Sequence, residues 1–172
     1  MPVTRLATLD DAPAVTALLA ESRESFAPWE PLRDDDFFTL REQRSLLVAA
    51  LAAYEQGSTV PLVILDGTTV IGRITLNGVT RGALQSAALG YWVAPRFQGR
   101  GFATAAVADA AGLAFGEMKL HRLQAETLLH NTGSQRALLR NGFRPYGVAP
   151  SYLKIAGRWQ DFILFHLLSE NE

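Results

Sequence analysis

Between residues 91 and 103 the chain reads Tyr91-Trp92-Val93-Ala94-Pro95-Arg96-Phe97-Gln98-Gly99-Arg100-Gly101-Phe102-Ala103, an apolar strand running through a basic, glycine-containing turn into an alanine-rich helix. Gly99 and Gly101 let the turn take positive φ and bring bare backbone close to a ligand. The helix that follows aims its unpaired N–H groups and the positive end of its dipole back at the turn. The chemistry this predicts is anion binding, with phosphate as the fitting class. The pattern Gln98-x-x-Gly101-x-Ala103 has neither the Gly-Lys-Ser/Thr of a nucleoside triphosphatase nor the third glycine of a dinucleotide fingerprint. The acidic residue and βαβ context that a dinucleotide site needs do not follow it.

A chain of 172 residues fits one domain, 1–172, large enough to bury a core. With 48% apolar and 19% charged residues it reads as an ordinary globular protein. The net charge of -1, without a basic run, marks no nucleic-acid or anionic-membrane surface, so any ribosome contact would rest on local patches. Cysteine is absent, which removes disulfides, thiolate metal sites and a cysteine that could carry an acyl group. Cytoplasmic, direct-transfer chemistry is the expectation. Met1 to Asp10 hold no signal-peptide core, and no apolar run reaches the ~18 residues of a membrane span. His121, His130 and His166 lack ligand spacing, so no metal is expected.

Several elements must position the turn. Val3 to Ala7 is a short β-type stretch, and Asp10-Asp11-Ala12-Pro13 predicts a helix start with a side-chain cap. Val15, Leu18 and Leu19 continue that helix until Phe26-Ala27-Pro28-Trp29-Glu30-Pro31 breaks it. A second amphipathic helix is expected from about Phe37 to Tyr54, ended by Gln56-Gly57. Val60 to Leu65 and Val70 to Leu76 lie at hairpin spacing, and Leu84 to Val93 is a third strand whose Gly90 suggests a bulge or a close backbone approach. After the turn, Ala103, Ala106, Val107, Ala110, Leu113 and Ala114 give one small apolar helix face. Arg122 to Leu129 reads as a parallel strand reached by that crossover. Asn131 opens a short helix closed by Asn141-Gly142. Phe143 to Val148, Tyr152 to Ile155 and Arg158 to Leu168 are the closing strand segments, the last two joined through Ala156-Gly157.

The strand, the Ala94-Pro95 step, the glycine turn and the helix resemble the coenzyme A pyrophosphate loop of the GNAT N-acetyltransferases. Separated segments resemble one branch of it, the ribosomal-protein-alanine N-acetyltransferases of the RimJ type. These are Pro28-Trp29-Glu30-Pro31-Leu32-Arg33-Asp34, Val79-Thr80-Arg81-Gly82, Leu89-Gly90-Tyr91, Leu120-His121-Arg122, Asn131-x-x-Ser134, Asn141-Gly142-Phe143 and Gly157-Arg158-Trp159-x-Asp161. The resemblance implies an α/β acyl-CoA N-acyltransferase fold: a mixed sheet of six to seven strands, about four flanking helices and a V-shaped splay between the fourth and fifth strands. It also implies acetyl-coenzyme A in that splay, with main-chain groups of Tyr91, Trp92 and Val93 on the pantetheine arm. Amides from Gln98, Gly99, Arg100, Gly101, Phe102 and Ala103 would hold the pyrophosphate, with Arg96 or Arg100 adding charge. Asn131 and Ser134 would contact the pantetheine and sulfur, and Ser134 would be the acid for the leaving thiolate; capping the helix is the other reading of both. Other branches carry a tyrosine seven residues after that asparagine, where this chain has Leu138.

The resemblance further implies attack by a neutral amine. An α-amino group, with a pKa near ~8, needs less help than a lysine near ~10.4. Glu30 and Asp161 are the candidate carboxylates, as base or as docking charge, against readings as a loop residue and a partner of Arg158. Trp29, Glu30, Arg33, Asn77 and Tyr152 would line the acceptor side, where Trp29 could equally anchor its loop. Three functions remain open: transfer to a protein N-terminus, the alanine or serine of a ribosomal protein being the leading case; transfer to a small amine such as an amino acid or antibiotic; and a non-catalytic acyl-CoA-binding module. Monomer and homodimer are equally compatible with the sequence.

Overall fold

The computed structural model describes residues 1–170. One mixed sheet of seven strands runs in the order β1-β2-β3-β4-β5-β7-β6, formed by β1 Thr4–Leu6, β2 Val60–Asp66, β3 Thr69–Thr80, β4 Ser86–Val93, β5 Arg122–Leu128, β6 Arg144–Ile155 and β7 Arg158–Leu168. Every pairing is antiparallel except β4 with β5. Helices α1 Ala12–Glu21, α3 Leu40–Glu55, α4 Phe102–Gly116 and α5 Thr132–Arg140 flank the sheet, and α2 Arg23–Phe26 is a single turn. The expected mixed sheet and its flanking helices are present.

Two apolar layers hold the sheet. Ala106, Val107, Ala110 and Ala114 of α4 pack on Ile74, Leu76, Leu89 and Leu123, and the small helix residues let backbone and sheet approach closely. On the opposite face, Val15, Leu18 and Leu19 of α1 and Leu47 of α3 pack on Val63 and Val70, while Phe26 meets Trp92 edge-on at 5.6 Å. Asp109 of α4 accepts hydrogen bonds from Val3 N at 2.7 Å and Thr4 N at 3.0 Å, which ties β1 to the helix.

Several local expectations are corrected. Asp11 does not cap α1: its carboxylate accepts from Thr8 N and from Arg5 at 2.8 Å, and this arginine pair holds its pKa low. Phe37 and Phe38 lie in a 3-10 turn, Asp35–Phe38, and α3 starts at Leu40 behind a Thr39 cap. Gly90 neither bulges nor meets close backbone; it pairs regularly with Thr75. The close approach is at Gly72, where any Cβ would collide with Trp92 O. The segments expected at 143–148 and 152–155 fall in one strand, β6, which starts at Arg144 and has register shifts between Pro145/Gly147 and Ala149/Leu153.

The feature that matters for function is how little of β4 and β5 pair. Their register covers only Ser86↔Arg122, Ala87↔Leu123 and Ala88↔Gln124, although β4 runs to Val93 and β5 to Leu128. Beyond Ala88 and Gln124 the strands part, which is the predicted V-shaped splay between the fourth and fifth strands.

Candidate active site

A cleft of about 680 Å³ opens at this splay, between the end of β4, the turn before α4 and the start of α5. Gly99 (φ 73°) and Gly101 (φ 87°) both sit in the left-handed region, and Gly101 is the N-cap of α4 without a side-chain cap. The first amides of α4 therefore face the cleft uncapped, with no Cβ at either glycine in the way. Gln98, Gly99, Gly101, Phe102 and Ala103 line this arm, as expected, together with Phe97 and Thr104. The Gln98 side chain closes the turn internally, donating to Val93 O at 2.8 Å. The resulting concave set of backbone donors at a helix dipole fits a phosphate or pyrophosphate.

The cationic side chains are not the expected ones. Arg96 donates to both carboxylate oxygens of Glu21 at 2.7 Å, and Arg100 lies 3.3 Å from Asp66; neither lines the cleft. Arg136 and Arg140 line it instead, one helical turn apart on α5. An i, i+4 basic pair following Asn131-x-x-Ser134 is the signal that could have revealed them.

Past the point where the strands part, Tyr91, Trp92, Val93, Asn131 and Ser134 all line the cleft. Asn131 Oδ1 accepts from Ser134 N at 3.2 Å, so the capping reading holds. Ser134 Oγ is 2.7 Å from the Tyr91 hydroxyl, which spans the gap from β4 to α5. Burial pushes the Tyr91 hydroxyl up, opposed by the Ser134 contact. The sequence assigned Tyr91 only a main-chain role, because its partner lies 43 residues away. Leu138, where other branches carry tyrosine, is fully buried in the core.

The acceptor-side residues divide. Trp29 and Glu30 line the cleft, and Trp29 stacks on His130 with ring centroids 5.1 Å apart. The Glu30 carbonyl accepts from Ala156 N at 2.8 Å, which ties this loop to the β6–β7 turn. Burial pushes the Glu30 carboxyl up, while Arg33 at 4.0 Å pulls it down. Arg33 itself stacks over Phe37 at 4.3 Å and does not line the cleft. Asn77 and Tyr152 sit outside it on the open sheet face, Asn77 beside Gly90 and Tyr152 against Phe162 at 5.6 Å. Asp161 is exposed, and its Oδ1 accepts from Ser151 N at 2.8 Å. The expected Arg158 partner is replaced by a backbone amide at the β6 irregularity, where Ser151 has φ 46°. Asp161 thus belongs to the hairpin, not to the cleft.

One carboxylate escaped the sequence reading. Glu126 lies on β5 two residues past its last pair with β4, between Ala125 and Thr127 of the buried face, so it points to the α1–α3 side of the sheet. Burial pushes its carboxyl up, and its charge is the main cause that raises the Tyr152 hydroxyl. A glutamate in a strand of alternating burial reads as an ordinary solvated position; like Asn77 and Tyr152, Glu126 is not among the residues that line the cleft, and it stands beside it on β5.

With this geometry the comparisons agree. A family model described as an acetyltransferase (GNAT) domain matches residues 3–144. Over 164 residues the chain is 32% identical to the probable N-acetyltransferase YjcK of Bacillus subtilis, covering 94% of this chain and 91% of that protein. It is 31% identical over 164 residues to the ribosomal protein uS5-alanine N-acetyltransferase of Escherichia coli, covering 94% and 84%. The structure of Mycobacterium smegmatis RimJ in complex with CoA-disulfide matches with a TM-score of 0.94 at 33% identity, covering 97% of this chain and 81% of that one. The glycine turn, the parted β4 and β5 and a family match over most of the length agree: the chain belongs to the GNAT acetyltransferases.

Proposed function

We propose that this N-acetyltransferase uses acetyl-coenzyme A to modify a protein N-terminus, an alanine or serine α-amino group of a ribosomal protein, by direct transfer in the cytoplasm. The observation that carries the reading is Glu30 lining the cleft, with Glu126 on β5 just past its last pair with β4, both half-buried and both with carboxyls pushed up by burial. Raising a carboxyl towards the pKa of the amine, near ~8 for a protein N-terminus, makes it a better proton acceptor for that group. The name of the Escherichia coli relative supports the same acceptor class.

The donor supplies an acetyl thioester whose carbonyl carbon takes the amine and whose thiolate leaves. Backbone amides of residues 98–103, with Arg136 and Arg140, hold its anionic end. Glu126 takes the ammonium proton and Glu30 holds the incoming amine by charge. Ser134 donates a proton to the leaving sulfur and takes one back from the acceptor nitrogen, which loses its second proton as the amide forms. The Tyr91 hydroxyl, 2.7 Å from Ser134 Oγ and donating to the Ser134 carbonyl oxygen at 3.2 Å, holds the serine in place.

The test is steady-state release of coenzyme A thiol with short peptides ending in alanine, serine or methionine, beside N-terminally blocked lysine peptides and small amines. Turnover on free alanine or serine termini, abolished by blocking and reduced by Ser134→Ala, is expected. Turnover confined to small amines, or cofactor binding without acceptor-dependent release, would overturn the reading.

A further inference from the structure

Three polar side chains on the far strands of the sheet have no role in the chemistry above. Gln124 of β5 pairs across the sheet with His166 of β7, and His166 pairs with Arg144 of β6, so the three form one row on the same face as Glu126. Tyr146 packs edge-on against His166 at 5.2 Å, accepts a hydrogen bond from Gln124 Nε2 at 3.2 Å and carries the Arg122 guanidinium 5.1 Å over its ring. The helices on this face lie over β2 and β3 and leave the row open.

The cluster carries two guanidinium groups and one unpartnered imidazole nitrogen. Neither Arg122 nor Arg144 has a carboxylate partner among the described residues. His166 Nδ1 is buried without any hydrogen-bond partner. Burial, then Arg122 and Arg144, push the His166 pKa down, as expected where cations converge without a counter-ion. Two guanidinium groups without a carboxylate partner, both close enough to His166 to lower its pKa, offer donors that an external carboxylate fits.

We infer that Arg122, Arg144 and His166, gathered around Tyr146, form an acceptor subsite that takes a carboxylate side chain of the peptide being acetylated. The inference rests on the N-terminal reading above and deepens it. Strand spacing sets the position: from Glu126 to this row is two residues along β5 and one to two strands across, roughly 8–12 Å. An extended peptide rises ~3.3 Å per residue, so the carboxylate belongs at the third or fourth residue of the acceptor. A planar carboxylate suits two guanidinium groups, whereas an RNA backbone would need a longer basic track than this chain of net charge -1 offers.

The experiment compares alanine-terminated peptides with Glu or Gln at each of positions two to six. A KM about tenfold lower for Glu at position three or four, little changed in kcat, is expected from one charge-assisted contact. Arg144→Ala collapses the Glu-to-Gln ratio towards one, and Arg144→Glu inverts it in favour of a Lys peptide; Arg144 is exposed, so both fold. Equal KM for Glu and Gln at every position, with turnover intact, overturns the subsite and leaves N-terminal acetylation standing. If no peptide turns over, the wild-type imidazole resonances decide, titrated with blocked acetyl-Ala-Ala-Glu-Ala amide and its Gln counterpart. Movement of the His166 signal with the Glu peptide alone supports the subsite. Equal responses overturn it, as does a response to duplex RNA without Glu-to-Gln discrimination.

Discussion

On one side of the splay, six consecutive residues, 98–103, build an anion cradle from main chain; on the other, the proposed acceptor face is made of side chains, Glu30 from a loop that lines the cleft and Glu126 from β5 beside it. The cradle works through backbone conformation and a helix terminus, so its side chains are free to do other things: Arg96 pairs with Glu21, Arg100 with Asp66, and Gln98 braces Val93. The acceptor face works through desolvation, which raises the carboxyls of Glu30 and Glu126 and leaves them dependent on the packing around them. A site made of backbone is robust to side-chain loss and fragile at its glycines. A site made of desolvated side chains is fragile at each of them.

The sharpest way to break this contrast is Glu126→Gln. It keeps shape and removes the base, and kcat/KM at pH 7 should fall about 10²-fold or more, measured by thiol release. The wild-type rate should rise with pH through an apparent pKa above the usual glutamate range, and that limb should move in the variant; an unmoved limb would take the base role away from Glu126. Gly101→Ala is the matching test of the cradle. With φ 87° and nothing within 4 Å of an added Cβ, its effect is backbone strain alone. A left-handed penalty of about 1–2 kcal/mol predicts a KM for acetyl-coenzyme A about tenfold higher, whereas Arg100→Ala should stay within a few-fold. An Arg100→Ala loss as large as that of Gly101→Ala would mean that side-chain charge, not backbone, carries the cradle.

The same carboxylate yields a smaller effect of opposite sign on stability. Because the folded pKa of Glu126 is raised, its protonated form favours the folded state at low pH, and that contribution is lost as pH rises through the folded pKa. Glu126→Gln should therefore raise Tm at pH 7 by ~2 °C, and the gain should vanish near pH 4, in calorimetric scans at both values. The smallest effect belongs to Asp161→Asn. Its carboxylate serves the Ser151 amide in an exposed hairpin, so kcat/KM should change less than about twofold. A loss above tenfold would bring the closing hairpin into the active site.

Local rules written in consecutive residues determined much of this protein. The glycine turn, the small-residue face of α4, the Asn131 cap and the Gly142 stop each depend on neighbours a few positions away, and the structure keeps all four. Hairpin spacing likewise foretold β2 with β3, and the crossover foretold the parallel β4 with β5. Tertiary structure alone decided what depends on distant partners. Packing around β5 turns Glu126 from a solvated strand residue into a desolvated one, and the splay past Ala88 and Gln124 leaves the gap across which Tyr91 reaches Ser134. The registry of β5, β7 and β6 lines up Gln124, His166 and Arg144, residues with no shared signature in the chain. Burial and strand register are properties of the packed sheet, and the charge state of a carboxylate or an imidazole follows from them.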